Sequence, residues 1–168
     1  MAEPERWYVL RVRFGFETLV GSELRKHKIN VFLPLRYRTE WMSREIGTMA
    51  FPGHIFARFS LDERHSVLMV PGVLCVAGAP EPVPIGEDQI LNLQAAIRAG
   101  LPPRVFPFDR EQHEGRVVEG PLCGRKGSFI EHNGEWHFAV RVAAIERTLA
   151  FPLPGLSVEI SCNSRTIG

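Results

Sequence analysis

The sequence predicts an α+β chain of two modules. The first is a split-βαβ sandwich with an antiparallel sheet over residues 5–100. A linker at 101–114 leads to a small all-β barrel over 115–168. Three observations predict this. Apolar periods of two and 3.6 alternate through the front of the chain in the order β-α-β-β-α-β-α. Residues 115–168 hold five short strand-like runs separated by turn residues. Between them, 101–114 hold three prolines and few aliphatics.

The elements follow in order. Trp7–Arg13 is β-rich, with Val9, Arg11 and Arg13 on one face and Tyr8, Leu10 and Val12 on the other. Gly15 breaks it. Phe16–His27 turns helical: Phe16, Leu19, Val20 and Leu24 form one stripe, with Glu17, Glu23, Arg25 and Lys26 mostly off it. Ile29–Tyr37 is extended, with Pro34 suited to an edge or bulge. The polar stretch Arg38–Gly47 reads as a hairpin tip. Phe51–Phe59 opens on a Pro-Gly turn and continues as a strand with apolar residues on both faces. Ser60 and Glu63 have capping-box spacing, so a short helix runs to about Met69, before Pro71-Gly72. Val73–Ala77 is a strand and Ala79–Pro84 is extended. Glu87 and Asp88 open a helix whose apolar side is Ile90, Leu93, Ala96 and Ile97, with Gly100 as its stop. The later strands are Arg116–Glu119, Ser128–His132, Glu135–Val142, Arg147–Pro152 and 157–160. Asn133-Gly134 marks a type I′ hairpin. Phe129, Phe138, Val140 and Val142 read as core; Trp136 is either core or an exposed recognition residue.

The 168 residues carry a net charge of only +1, which excludes a uniformly basic nucleic-acid binder. The charge is nonetheless uneven. Residues 6–44 hold nine Lys/Arg against three Glu, whereas 45–114 hold five basic residues against nine acidic ones. An early electropositive face suits phosphates; a solvated helix and hairpin surface is the plainer reading. No apolar run approaches the roughly 20 residues of a membrane span, and the acidic N-terminus lacks a signal pattern, so a cytoplasmic location is expected. The three cysteines form no Cys-x-x-Cys pair and are expected as reduced thiols. The six histidines lack metal spacing, and no nucleotide-binding or hydrolase motif is present. No enzyme, metal or cofactor is expected.

The motifs point to a family only in combination. Trp7-Tyr8-Val9-Leu10, Gly15, Glu17, the helix and Val31-Phe32-Leu33-Pro34 resemble the opening of the NGN domain of the NusG family. Phe51-Pro52-Gly53-His54-Ile55-Phe56 is similar to its Phe-Pro-Gly-Tyr strand motif, and Pro71-Gly72-Val73 to its helix-to-strand junction. Gly120-Pro121-Leu122-x-Gly124-x-x-Gly127 resembles the KOW motif, whose glycines permit positive φ and close backbone approach. The resemblance spans Trp7 to Ile160.

It implies a transcription elongation and antitermination factor that docks on the clamp helices of the largest subunit of bacterial RNA polymerase. Such a factor favours the closed clamp and suppresses pausing, while its KOW domain recruits Rho or a ribosomal protein. The motif match places Phe51, His54, Ile55 and Phe56 on or beside the clamp-helix site, where aromatics serve as hot spots. Phe51 and Ile55 as plain core is the competing reading. His54 stands where the family usually has Tyr. His65 and Ser66 resemble a second polymerase contact of the RfaH paralogue. Arg11, Arg13, Arg36 and Arg38 are candidates for upstream or non-template DNA, with Phe14 as a stacking residue and Phe16 in the core. Ile145-Glu146-Arg147 falls where the housekeeping factor presents an apolar-Gly-Arg segment to its KOW partner. Glu146 there adds charge and loses a φ > 0 option, which favours a specialised paralogue (RfaH, UpxY or LoaP type) acting on selected operons. A monomer is expected. A general NusG-type factor and a ribosome- or RNA-binding KOW protein are the alternatives. Asn133-Gly134, Pro152 and Pro154 argue against a helical form of the second module.

Overall fold

The computed structural model describes residues 2–39, 45–49, 51–153, 155 and 158–161, with side chains of 35–39 and 45–49 outside the description. The chain divides into two compact units, residues 1–90 with 143–145 and residues 91–142 with 146–168.

The first unit is built on a four-stranded antiparallel sheet of order β2-β5-β1-β6: β2 (Asn30–Phe32), β5 (His54–Phe59), β1 (Arg6–Val12) and β6 (Val73–Val76). Val20 and Leu24 of helix α1 (Glu17–Lys26) and Val67 of the short helix α2 (Arg64–Leu68) share one core with Tyr8, Leu10, Val12, Ile55, Ala57 and Phe59 from the sheet. The alternation in β1 explains this choice of face, because Tyr8, Leu10 and Val12 all point the same way. The capping box forms as its spacing predicts: Ser60 Oγ accepts from Asp62 N–H at 3.2 Å and Glu63 accepts from Ser60 N–H at 3.1 Å.

The stripe of α1 is displaced by one position. Its buried residues are Glu17, Val20, Gly21 and Leu24, while Leu19 is 62% exposed and Phe16 precedes the helix, 36% exposed. Phe16 is therefore not a core residue. The stretch read as a hairpin tip contributes two paired strands, β3 (Leu35–Thr39) and β4 (Glu45–Met49). Helix α3 (Glu87–Arg98) buries Ile90, Leu93, Ala96 and Ile97, its expected apolar side, and the division between units falls within it.

The second unit is all-β. One antiparallel sheet runs β12-β8-β9-β10-β11-β7: β12 (Val158–Ile160), β8 (His113–Val117), β9 (Lys126–His132), β10 (Glu135–Val142), β11 (Arg147–Pro152) and β7 (Arg104–Pro107). Among the described residues β12 and β7 end this order without pairing to each other, so the expected barrel is seen as an open succession of strands. Strand β7 lies in the stretch read as a linker. Phe106 of that strand packs on Ile130, Ala139 and Ala150. Strand β8 begins three residues before the predicted Arg116. Phe129, Phe138 and Phe151 lie in one row across β9, β10 and β11, fully buried. Trp136 is half-buried, edge-on to His113 with ring centroids 5.7 Å apart. Gly120 and Gly124 take positive φ, as the motif requires, whereas Gly127 does not. Among the described residues no helix is long and apolar enough to cross a membrane.

Candidate functional site

Antiparallel register fixes which residues share a face of the first sheet. Leu10 opposes Ile55 and Val76, and all three lie in the helix-covered core. The adjacent positions point the other way and build three rows. Asn30, Arg58 and Trp7 form the first, Phe32, Phe56 and Val9 the second, and His54, Arg11 and Cys75 the third. The middle row is apolar, with the Phe32 and Phe56 rings 5.7 Å apart. The outer rows are polar or aromatic with a polar tip. Trp7 Nε1 is buried with no hydrogen-bond partner among the described residues, an unused donor beside the apolar row. An apolar centre with a polar rim is the usual anatomy of a protein interface.

The turn at one end of β5 frames this face. Gly53 has φ +78°, and His54 N–H donates to Phe51 carbonyl at 3.3 Å, so Pro52-Gly53 occupies the centre of a turn whose third residue needs positive φ. Gly53 carbonyl accepts from Val12 N–H at 2.9 Å, and Gly53 N–H donates to Glu17 Oε1 at 2.7 Å. His54 Nδ1 lies 3.0 Å from Pro52 carbonyl.

The structure does not bring the four residues of the motif onto one surface. Ile55 is fully buried on the helix-covered face and cannot share a contact with Phe56, because neighbours in a strand point to opposite sides. Phe51 and Phe56 are also buried, at 7% and 1% exposure, and His54 is half-exposed. Val9 and Phe32 belong to the face as well, although the sequence motifs that contain them assign them no contact. Phe32 was legible only through its pairing opposite Phe56.

The remaining candidates are scattered. His65 and Ser66 are exposed on α2, next to Arg64, which stands 3.8 Å from Glu81. Arg11 is exposed beside His54, and Arg13 lies over the Phe16 ring at 5.3 Å. Phe14 is 81% exposed. Arg36 and Arg38 lie on β3, where their backbones pair with Thr48 and Ile46 of β4. Ile145 ends a 3₁₀ turn, half-buried, and Arg147 donates to Glu146 carbonyl at 2.9 Å. Glu146 has φ +51°. It adopts the left-handed conformation without being glycine, so the position keeps φ > 0, contrary to expectation, and differs from glycine in its charge and in the strain a side chain brings there. Among the described residues no group of three or more His, Cys, Asp or Glu is placed to hold a metal.

Comparison with known proteins adds the following. A family model described as NusG, transcription termination factor, matches residues 5–94. The transcription termination/antitermination protein NusG of Pasteurella multocida is 31% identical over 147 residues, covering 76% of this chain and 79% of its own. Its counterpart from Vibrio vulnificus is 29% identical over 150 residues, covering 77% and 81%. A solved structure of Thermotoga maritima NusG, reported for its domain interaction, aligns over 92% of this chain and 96% of its own. The TM-score is 0.52 at 18% identity, a likeness of fold.

Proposed function

We propose a mode of action from one premise: the chain belongs to the NusG family of transcription termination/antitermination factors. In this reading it binds the clamp helices of the largest RNA polymerase subunit, favours the closed clamp and suppresses pausing or termination on selected operons, in the cytoplasm.

The observation that carries the reading is the apolar row Val9–Phe56–Phe32 on the sheet face away from α1 and α2. Aliphatic side chains at the tip of a helical hairpin seat on such a row. The indole N–H of Trp7 and the rim formed by His54 and Arg11 supply polar contacts. Val9 and Phe56 are both buried and Phe32 is half-buried, so binding includes exposure of the row. Phe51 acts through the turn. Ile55 is left out, since it serves the core. His65 and Ser66 reach a second polymerase element. Arg11, Arg13 and Phe14, with Arg36 and Arg38, face upstream or non-template DNA. Ile145, Glu146 and Arg147 present the second unit to a ribosomal protein or Rho. A general NusG-type role is the second reading. The left-handed backbone at Glu146 favours it, because the partner-binding loop keeps the shape a glycine would give.

Binding of the full chain to purified polymerase tests this. A central aromatic hot spot contributes about 2 kcal/mol, or roughly 30-fold in Kd. Phe32→Ala, at a half-buried position, is expected to show such a loss. Phe56→Ala should show at least as much, with folding checked by circular dichroism. Parental affinity in both folded variants would remove the docking face.

A further inference from the structure

We propose that Glu17 is the positioning residue of the docking face, its carboxylate setting the Phe51–His54 turn in the shape that binding requires. The inference rests on the docking reading above.

Glu17 is 4% exposed on the first turn of α1. A carboxylate is rarely placed inside unless something there bonds to it, because loss of hydration is costly. A packing role alone would be served by an aliphatic residue, as at Val20 and Leu24 on the same stripe. What Glu17 finds is Gly53 N–H at 2.7 Å, the length of a charge-assisted bond. The helix N-terminus around it also favours a negative charge.

Gly53 is the residue on which the turn depends. Its φ of +78° is a conformation that other residues adopt with strain. Both its backbone groups are tied, the N–H to Glu17 and the carbonyl to Val12 N–H at 2.9 Å. The turn is thereby anchored to the first helix and to the strand that carries Val9. Phe51 precedes it. His54 and Phe56 follow at alternate positions of β5, so the direction of the turn sets where the rim meets the apolar row. Glu17 acts through Gly53 and needs no contact with a partner.

The test uses the full chain with Glu17→Ala, Glu17→Gln and Glu17→Asp. Two readouts are taken: hydrogen exchange at the Gly53 amide and affinity for purified polymerase. Loss of a hydrogen bond to a charged group corresponds to about tenfold or more. Glu17→Ala is expected to speed Gly53 exchange by that factor, leave Val9 and Phe56 amides protected, and weaken polymerase binding about tenfold. Glu17→Gln keeps an acceptor of equal reach and should restore most of both. Should Glu17→Ala fail to fold, Glu17→Asp is read in its place, since it keeps the charge and is one methylene short. Unchanged Gly53 exchange overturns the proposal. So does parental affinity in Glu17→Ala, or in Glu17→Asp where it stands in, while Phe32→Ala loses binding. If Phe32→Ala and Phe56→Ala also bind like the parent, the docking reading has failed and Glu17 positions no docking face.

Discussion

Gly127→Ala is a severe change for one methyl group, and the structure says how severe. A Cβ on Gly127 would stand 2.7 Å from Phe138 Cε2 and 3.3 Å from Cζ, where ordinary contact begins at 3.4 Å. The ring must retreat by about 0.7 Å. It has little room. Phe138 is 0% exposed, lies 5.6 Å from Phe129 centroid to centroid, and faces Phe151 on its other side. Overpacking of this kind costs about 1–3 kcal/mol. The backbone offsets part of it, because Gly127 has an ordinary φ and alanine restricts the unfolded chain by about 0.4–1 kcal/mol. The net expectation is a loss of about 1–2 kcal/mol in the second unit. Urea titration of the full chain, followed by amide exchange at Phe129 and Phe138, measures it. The double variant Gly127→Ala/Phe138→Leu should be less destabilised than the two single changes predict together, since leucine vacates the contested space. An unchanged midpoint for Gly127→Ala, or strict additivity in the double variant, would refute the steric argument.

Other expectations are as direct. His137 is fully buried, its Nε2 without a partner among the described residues, and burial lowers its pKa below the usual 6.5, with the charges of Arg104 and His132 acting the same way. The unfolded chain then takes a proton that the folded chain refuses. Stability of the second unit is full above about pH 6.5 and falls as pH drops below it. His137→Phe should remove this residue's part of the slope in pH-dependent unfolding, and an identical slope would refute it. Phe14→Ala, at an 81% exposed position, should change stability by less than about 0.5 kcal/mol. If Phe14 stacks on a base, the same variant loses about 1–3 kcal/mol of single-strand affinity in a fluorescence-anisotropy titration. Glu146→Gly should stabilise the second unit by up to about 1 kcal/mol, because glycine takes φ +51° without strain. A lowered unfolding midpoint would contradict that.

Much of the first unit is legible in the sequence because strand alternation and capping are local signals. What escaped has identifiable causes. Gly21 and Glu17 line the inner side of α1, and neither counts as apolar. A Cβ on Gly21 would already stand 3.2 Å from Leu33, so the helix sits close to that side chain. The apolar pattern instead selected Leu19, which faces solvent. β7 is masked by Pro102 and Pro103 just before it and by Pro107 at its end, yet proline is compatible with the edge position the strand occupies. β8 was shifted because Gly115 has no side chain to mark it; a Cβ there would meet Glu159 carbonyl at 2.5 Å. For the candidate face, alternation along Phe51–Phe59 already separates Ile55 from His54 and Phe56, but which residues of β1 and β2 complete the face is set by pairing. Val9 and Phe32 joined the face for the same reason.

The margins of the first sheet bear on how the protein behaves when crowded. Its outermost strands are β2, three residues long, and β6, four residues long with a register shift opposite Arg11 and Val12. A neighbouring copy seeking to extend the sheet would find on either side only a short ladder, and on one side an irregular one. Stacking of copies edge to edge is thereby discouraged even at high local concentration, without spending a charged residue on the task.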